Sequence, residues 1–352
     1  MRIGICTGGG DCPGLNAAIR ALVQAASQDK SVQIVGIYDS INGLMERPLR
    51  YTELTLPDVT DILCRGGTII GTHNKGNPLV GPEKSKKIEA IKQGMTELKL
   101  DTLILIGGEG TQGLAVDLME NGIPIIGIPK TIDNDLPGTD RTIGFASCVD
   151  LVAESVLRLR STAESHDRIM LLEVMGRDSG YIALHGGLAG GAHVILIPEI
   201  PFDYTAMLKK IQDRSSRGRN FSVIVVSEGA RSQGGDALYK EETSGTKNLG
   251  GISQLIAREL FQKTNMDTRV TVLGHLQRGG TPNPEDRILA ARFAVHAYHL
   301  VKQKQFNRIV VLKGQHISDT AYADIARFAR AQLSLQDEIL LTAEATGICL
   351  GR

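Results

Sequence analysis

Residues 129 to 139 read PKTIDNDLPGT and follow the apolar run IPIIGI, so an ammonium, two hydroxyls, two carboxylates and a carboxamide stand at the end of an apparent buried strand. If 131 to 135 is extended, Asp133 and Asp135 point to one side, because strand side chains alternate with a period of two. A further acid, Glu109, ends the strand in LILIGGEGTQG (103 to 113) and is expected to face the same pocket. Three carboxylates around one pocket need a cation. Mg2+ takes few protein carboxylates and shares its shell with water and phosphate oxygens, which suits a Mg·nucleotide better than a permanent metal cage. The competing reading makes Asp133, Asn134 and Asp135 turn formers ahead of Pro137-Gly138, and Glu109 a solvated loop acid.

Phosphate chemistry also needs close backbone approach and fixed positive charge. TGGGDCPGLNAAIR (7 to 20) follows the first strand and opens a helix, so Gly9 and Gly10 let the chain pass close to an anion at a helix start. Gly108, Gly110 and Thr111 repeat that plan after the strand ending at Gly107, ahead of a helix expected over 111 to 121. The first of these turns is neither a P-loop nor a dinucleotide fingerprint: Leu15 and Asn16 stand where Lys and Ser or Thr belong, and Pro13 breaks GxGxxG. A tight strand-to-helix turn explains the glycines equally well. The available cations are Lys130, Arg168, Arg177, Arg269 and Arg278. Arginine binds phosphate bidentately, so several converging on one site would hold a sugar phosphate and a transferring group. His275 can bond a phosphate or hydroxyl, and Glu228 either sugar hydroxyls or a turn.

The elements that must position these groups are legible as apolar runs with little polar alternation. They are RIGICT, VQIVGIY, DTLILIGG, IPIIGIP, RIMLLEVMG, HVILIPE, FSVIVVSEG, RVTVLGH and RIVVLKG, separated by helix-period segments such as LNAAIRALVQAASQ and GISQLIARELFQKT. Such alternation predicts parallel, layered α/β sheets whose carboxyl edges carry ligands. The stretches 71 to 85 and 231 to 251 read as surface loops. At 352 residues two lobes are expected. Lys plus Arg and Asp plus Glu balance at 39 each with no basic run, which argues against a nucleic-acid partner. Five scattered cysteines without a CxxC pair fit a reducing cytoplasm, and no apolar stretch is long enough to suggest a membrane span.

TGGGDCPGLNAAIR, GGEGTQG, PKTIDNDLPGTDRTIGF, SHDRIMLLEVMGRDSG, GLAGGAHVILIPE and TVLGHLQRGGTPNPEDRILA together resemble the 6-phosphofructokinase family, in the same order and over most of residues 3 to 293. The resemblance implies two similar three-layer α/β lobes with mainly parallel sheets and an active site in the cleft between them. Residues 1–143 with 278–330 would form the nucleotide lobe, and 144–277 with 331–352 the fructose 6-phosphate lobe. It implies transfer of a phosphoryl group from Mg·ATP to the 1-hydroxyl of fructose 6-phosphate, a step of glycolysis, with Asp133 as general base. By motif position Thr131 and Arg177 contact the moving phosphoryl, and Glu109 with Asp135 serve Mg2+. Arg168, Met175, Gly176, Glu228, Arg269, His275 and Arg278 hold the sugar phosphate. A cytoplasmic homotetramer is implied, at least a homodimer, with two arginines reaching in from a neighbouring subunit.

The donor signature is mixed. Nucleotide-dependent members usually carry GGDG and a glycine where this chain has Glu109 and Lys130, while pyrophosphate-dependent members place Asp at the position of Gly110 and Lys at that of Lys130. Pyrophosphate is therefore the alternative donor. The bacterial effector pocket matches in part, at Arg20 and Arg160 but not at Gln24, His193 or Asn220-Phe221. A dinucleotide oxidoreductase is disfavoured by the failed glycine spacing after the first strand, and a non-catalytic sugar-phosphate sensor by the presence of all three carboxylates.

Overall fold

A computed structural model of the chain describes every residue except 75, 76, 237, 242–246 and 326–330. Its first half runs β1 (Arg2–Thr7), α1 (Leu15–Ser27), β2 (Gln33–Ile37), α2 (Asn42–Met45), β3 (Tyr51–Leu54), α3 (Lys84–Glu97), β4 (Thr102–Gly107), α4 (Glu109–Glu120), β5 (Ile125–Pro129) and α5 (Phe145–Ser165). There follow β6 (Ile169–Val174), α6 (Tyr181–Gly190), β7 (Val194–Leu196), α7 (Tyr204–Ser216), β8 (Ser222–Ser227), β9 (Tyr239–Glu241), β10 (Lys247–Leu249), α8 (Ile252–Thr264) and β11 (Thr268–Val272). The chain closes with α9 (Pro284–Lys302), β12 (Arg308–Lys313), β13 (His316–Ala321) and α10 (Glu338–Ala345). It divides into two compact units, Met1–Ser147 with Arg278–Arg330 and Cys148–Gln277 with Ala331–Arg352.

In the first unit the strand order is β13-β12-β5-β4-β1-β2-β3. The inner strands are parallel, and β3 and β13 pair antiparallel at the two edges. Every residue of β4 and β5 is buried, which is why those segments carry almost unbroken Leu and Ile. One core cluster joins Val35, Leu103, Leu105 and Ile125 of the sheet to Ile88 and Ile91 of α3 and Leu114 and Leu118 of α4. Helices α1 and α9 pack on each other. Asn283 caps α9 by accepting from the Asp286 amide (2.8 Å), with Pro284 opening the helix.

The second unit carries a four-stranded parallel sheet in the order β11-β6-β8-β7. Ile169, Leu171, Val194, Leu196, Ile224 and Val226 pack against Met207 and Ile211 of α7 and Ile256 and Leu260 of α8. Contacts of α6 with β7 and β8 complete the packing.

Several expectations change. Edge strands β3 and β13 were not anticipated, because an edge needs only one apolar face and YTEL and HISDTA are polar. Within the presumed loop 231 to 251, Tyr239–Glu241 pairs antiparallel with Lys247–Leu249, and residues 237 and 242–246 lie outside the described set. In the loop 71 to 85, residues 75 and 76 lie outside it, and α3 already begins at Lys84. RVTVLGH is not covered on both faces: β11 is a sheet edge and Val272 is exposed. The helix after GGEG starts at Glu109 rather than at 111.

Candidate active site

Strands β1, β4 and β5 lie side by side and end in register, Thr7 beside Ile106 and Gly107 beside Pro129. From β1 the chain moves to β2 and β3 on one side and then returns to β4 and β5 on the other. That reversal of strand order opens a crevice at the carboxyl ends of β1 and β4, the position where open α/β sheets bind ligands. The β1–α1 turn is pinned there, with the Gly8 amide donating to Ile106 O (2.9 Å), the Gly9 amide to His73 O (3.0 Å) and the Thr72 hydroxyl to Gly9 O (2.7 Å). Gly9 has a φ of 75°, and a Cβ on Gly10 would stand 1.9 Å from Nη1 of Arg278. Gly9 thus sits in a conformation that favours glycine, and a side chain at position 10 would displace the Arg278 guanidinium from the turn. Arg278 also reaches the Asp11 carbonyl (3.4 Å), which brings one of the expected phosphate cations onto the turn.

Lys130 follows β5 and is buried. Its amide donates to Gly107 O (3.1 Å) and its Nζ to Gly10 O, so one residue ties the ends of β4 and β5 to the β1–α1 turn. Burial holds its ammonium below the usual lysine range; Arg278 pushes the same way, while Asp11 and Asp133 oppose it. Gly108 caps α4, whose first turn holds Glu109, Gly110 and Thr111. Thr111 packs under Gly8, and buried Gln112 donates to the carbonyls of Gly107 (2.9 Å) and Ile128 (3.1 Å) while accepting from the Tyr322 hydroxyl (2.6 Å). A Cβ on Gly110 would meet nothing within 4 Å, so the amide end of α4 is open on that side.

The segment 131 to 135 is not extended, and the expectation that Asp133 and Asp135 alternate as strand neighbours is corrected. Asn134 has a φ of 52°, its Oδ1 accepts from the Thr142 amide (2.9 Å), and its Nδ2 donates to Asp140 O (3.2 Å). The Thr142 hydroxyl donates to Thr131 O (2.6 Å), and the Asp133 amide to the Thr131 hydroxyl (3.1 Å). Asn134 tolerates the left-handed turn because its short amide bonds the local backbone. Asp133 is left half-buried and Asp135 buried. Among the described residues no three His, Cys, Asp or Glu side chains are grouped to hold a metal ion, so Glu109, Asp133 and Asp135 do not form a ready-made cage. Their hard oxygens still suit a cation that takes one or two protein ligands and fills its shell with phosphate.

In the second unit, the carboxyl ends of β6, β8 and β11 are also aligned, Val174 beside Ser227 and Val272 beside Glu173. Met175, Gly176 and Arg177 follow β6, Glu228 follows β8 and His275 follows β11. The Gly176 carbonyl accepts from the Ser227 hydroxyl (2.6 Å) and the Gly229 amide (3.1 Å), and the Met175 amide donates to Gln277 Oε1 (3.3 Å). Arg177 and His275 are exposed. Arg168 and Arg269 lie instead at the amino ends of β6 and β11, roughly 20 Å away for a six-residue strand. The expected convergence of the arginines is thus not made within this unit. There Asp267 joins the two, with Oδ2 at 2.7 Å from Arg168 Nε and Oδ1 bonded to Arg269 Nη1. Asp267 and Gln277 were missed from sequence; the DTR spacing of Asp267 and Arg269 was the available signal for the first, and nothing marked the second.

Residues 2–301 match the phosphofructokinase family. The chain is 45% identical to the ATP-dependent 6-phosphofructokinase of Chloroflexus aggregans, covering 100% of this chain and 98% of that protein. It is 42% identical to the ATP-dependent 6-phosphofructokinase 1 of a Synechocystis species, over 99% and 98%. Among solved structures, the pyrophosphate-dependent phosphofructokinase of Marinobacter aquaeolei superposes with a TM-score of 0.82 at 21% identity, over 99% of this chain and 88% of that one, a likeness of fold. The phosphofructokinase of Pichia pastoris in the T-state superposes with a TM-score of 0.80 at 29% identity, over 92% and 35%. With matching motifs, matching fold and full-length identity of this order, the chain belongs to the phosphofructokinase family.

Proposed function

We propose that this chain is an ATP-dependent 6-phosphofructokinase that moves the terminal phosphoryl group of ATP to the 1-hydroxyl of fructose 6-phosphate, a step of glycolysis. The observation that carries the assignment of residues is the crevice in the first unit, where Gly9, Gly10, the first turn of α4, Lys130, Thr131 and Asp133 stand at the carboxyl ends of three adjacent strands. Phosphoryl transfer asks for an aligned nucleophile and for positive charge where negative charge develops. Asp133 accepts the hydroxyl proton as general base. Thr131 and Arg177 contact the moving group. Gly9, Gly10, Gly108, Gly110 and Thr111 supply backbone and amide ends to the donor phosphates. Glu109 and Asp135 are the carboxylates to hold Mg2+, which when bound neutralises charge on the donor phosphates.

Met175, Gly176, Glu228, His275 and Arg278 bind the sugar phosphate. Arg168 and Arg269, remote from Met175 along the same sheet, serve the active site of a neighbouring subunit in a homotetramer, and Asp267 keeps their guanidiniums paired until phosphate arrives. The alternative use of pyrophosphate is disfavoured, because the Lys130 ammonium is turned inward onto Gly10 O. No described helix is long and apolar enough to cross a membrane, and the reading places the enzyme in the cytoplasm. The test is a coupled assay of the purified chain with fructose 6-phosphate and Mg2+, comparing ATP with pyrophosphate. Turnover with ATP is expected; a higher kcat/KM for pyrophosphate would overturn the donor.

A further inference from the structure

The loop from Met175 to Gly180 carries Arg177 between two sets of ties. At its start, Met175 and Gly176 are held by Gln277, Ser227 and Gly229. At its end stands Glu199, three residues past β7. Its Oε1 accepts from the Gly180 amide (2.9 Å), the cap of α6, and from the Leu333 amide (3.1 Å) in the segment that returns to this unit after residue 331. Its Oε2 is buried without a hydrogen-bond partner among the described residues. Burial raises the pKa of Glu199, and the Gly180 and Leu333 amides oppose the shift.

We propose that Glu199 is a positioning residue for phosphoryl transfer, its one accepting oxygen fixing the far end of the Met175–Gly180 loop to the C-terminal segment so that Arg177 is presented in a single place. The inference rests on the role assigned to Arg177 above. It gives the C-terminal segment a task in the reaction, because Leu333 and Gly180 share one acceptor. The two ends of the loop also have separable consequences. Met175 and Gly176 keep their own ties when Glu199 is lost, so sugar binding persists, while Arg177 loses its fixed place relative to the moving phosphoryl. Loosening of that kind lowers kcat and leaves KM for fructose 6-phosphate nearly unchanged.

The experiment uses the purified full-length enzyme with ATP and fructose 6-phosphate. Glu199→Ala should lower kcat roughly tenfold, as expected for a reacting group misplaced by about an ångström or less, with KM for fructose 6-phosphate within about twofold of the parent. Glu199→Gln keeps an accepting oxygen and should retain more than about half of the parent kcat. Gly180→Ala reaches the same loop end by a separate route, since its Cβ would lie 2.5 Å from Ile197 Cβ and 2.9 Å from Glu199 Oε2, and should also lower kcat selectively. It decides the matter with the Gln variant if Glu199→Ala does not fold. A loss expressed wholly in KM, a Gln variant as impaired as Ala, or a folded Gly180→Ala enzyme with parental kcat would each overturn the proposal. A parent without activity on ATP and fructose 6-phosphate would instead overturn the function itself.

Discussion

Gly110→Asp separates donor choice from stability. Gly110 is the second residue of α4, is exposed, and has nothing within 4 Å of where its Cβ would be, so the new side chain displaces nothing. A carboxylate in the first turn of a helix is favourable by about 0.3–1 kcal/mol, and loss of a glycine from the helix adds about as much, so Tm should hold or rise. Donor binding responds in the opposite direction. Taking ~5 Å between the new carboxylate and a donor phosphate, the repulsion is about 3 kcal/mol at an effective dielectric of 20 and about half that when water screens more strongly. That corresponds to a loss of roughly 10- to 200-fold in kcat/KM for ATP. Pyrophosphate, with no third phosphate to place near α4, should lose much less. The assay is kcat/KM for each donor at saturating fructose 6-phosphate and Mg2+, with a melting curve on the same preparation. An enzyme with unchanged Tm and kcat/KM for ATP within about threefold of the parent would refute the placement of the donor phosphates at the amino end of α4.

Asp133→Asn should lower kcat roughly 10²- to 10⁴-fold while fructose 6-phosphate binding by calorimetry is retained, because the amide keeps the shape of the carboxylate and the turn keeps the bonds of the Asp133 amide and Asn134; a variant keeping more than about half of parental kcat would remove Asp133 as the base. Mixing Asp133→Asn subunits with Arg269→Ala subunits should restore part of the activity if sites are shared, and no recovery after verified exchange would argue for self-contained sites. His193 is buried, its Nδ1 accepts from the Val223 amide (2.9 Å), and burial with Arg214 and Arg160 nearby pushes its pKa down to about 3. The unfolded chain takes up that proton below pH ~6.5 and the folded one does not, so its contribution is full above that pH and drains as pH falls, by up to ~2 kcal/mol at pH 5. Urea unfolding at pH 7 and pH 5 should show a smaller drop for His193→Gln than for the parent; equal drops would point to another group.

Much of the first unit was legible because burial on both faces forces continuous apolar runs. TLILIG and IIGIP could be read as inner parallel strands with no further information, and a glycine-rich turn after the first and a charged one after the second announced the edge that would carry chemistry. The order of motifs was enough to suggest the family and the identity of each candidate residue. Placement was a different matter. Whether Asp133 and Asp135 alternate depends on Asn134 adopting a left-handed conformation, which the Thr142 amide eight residues later stabilises, and no local pattern reveals that bond. Lys130 reads as a charge for the ligand, yet its ammonium is bonded to Gly10 O, a partner 120 residues away in the chain. Arg168 and Arg269 read like Arg177, but strand direction sends them to the opposite edge of the sheet, and pairing of β6 with β11 brings both to Asp267. Residue type and spacing determine which groups are available for chemistry, because those are properties of the chain itself. Which of them meet is decided by strand order, strand polarity and hydrogen bonds between distant segments, which exist only once the sheets have formed.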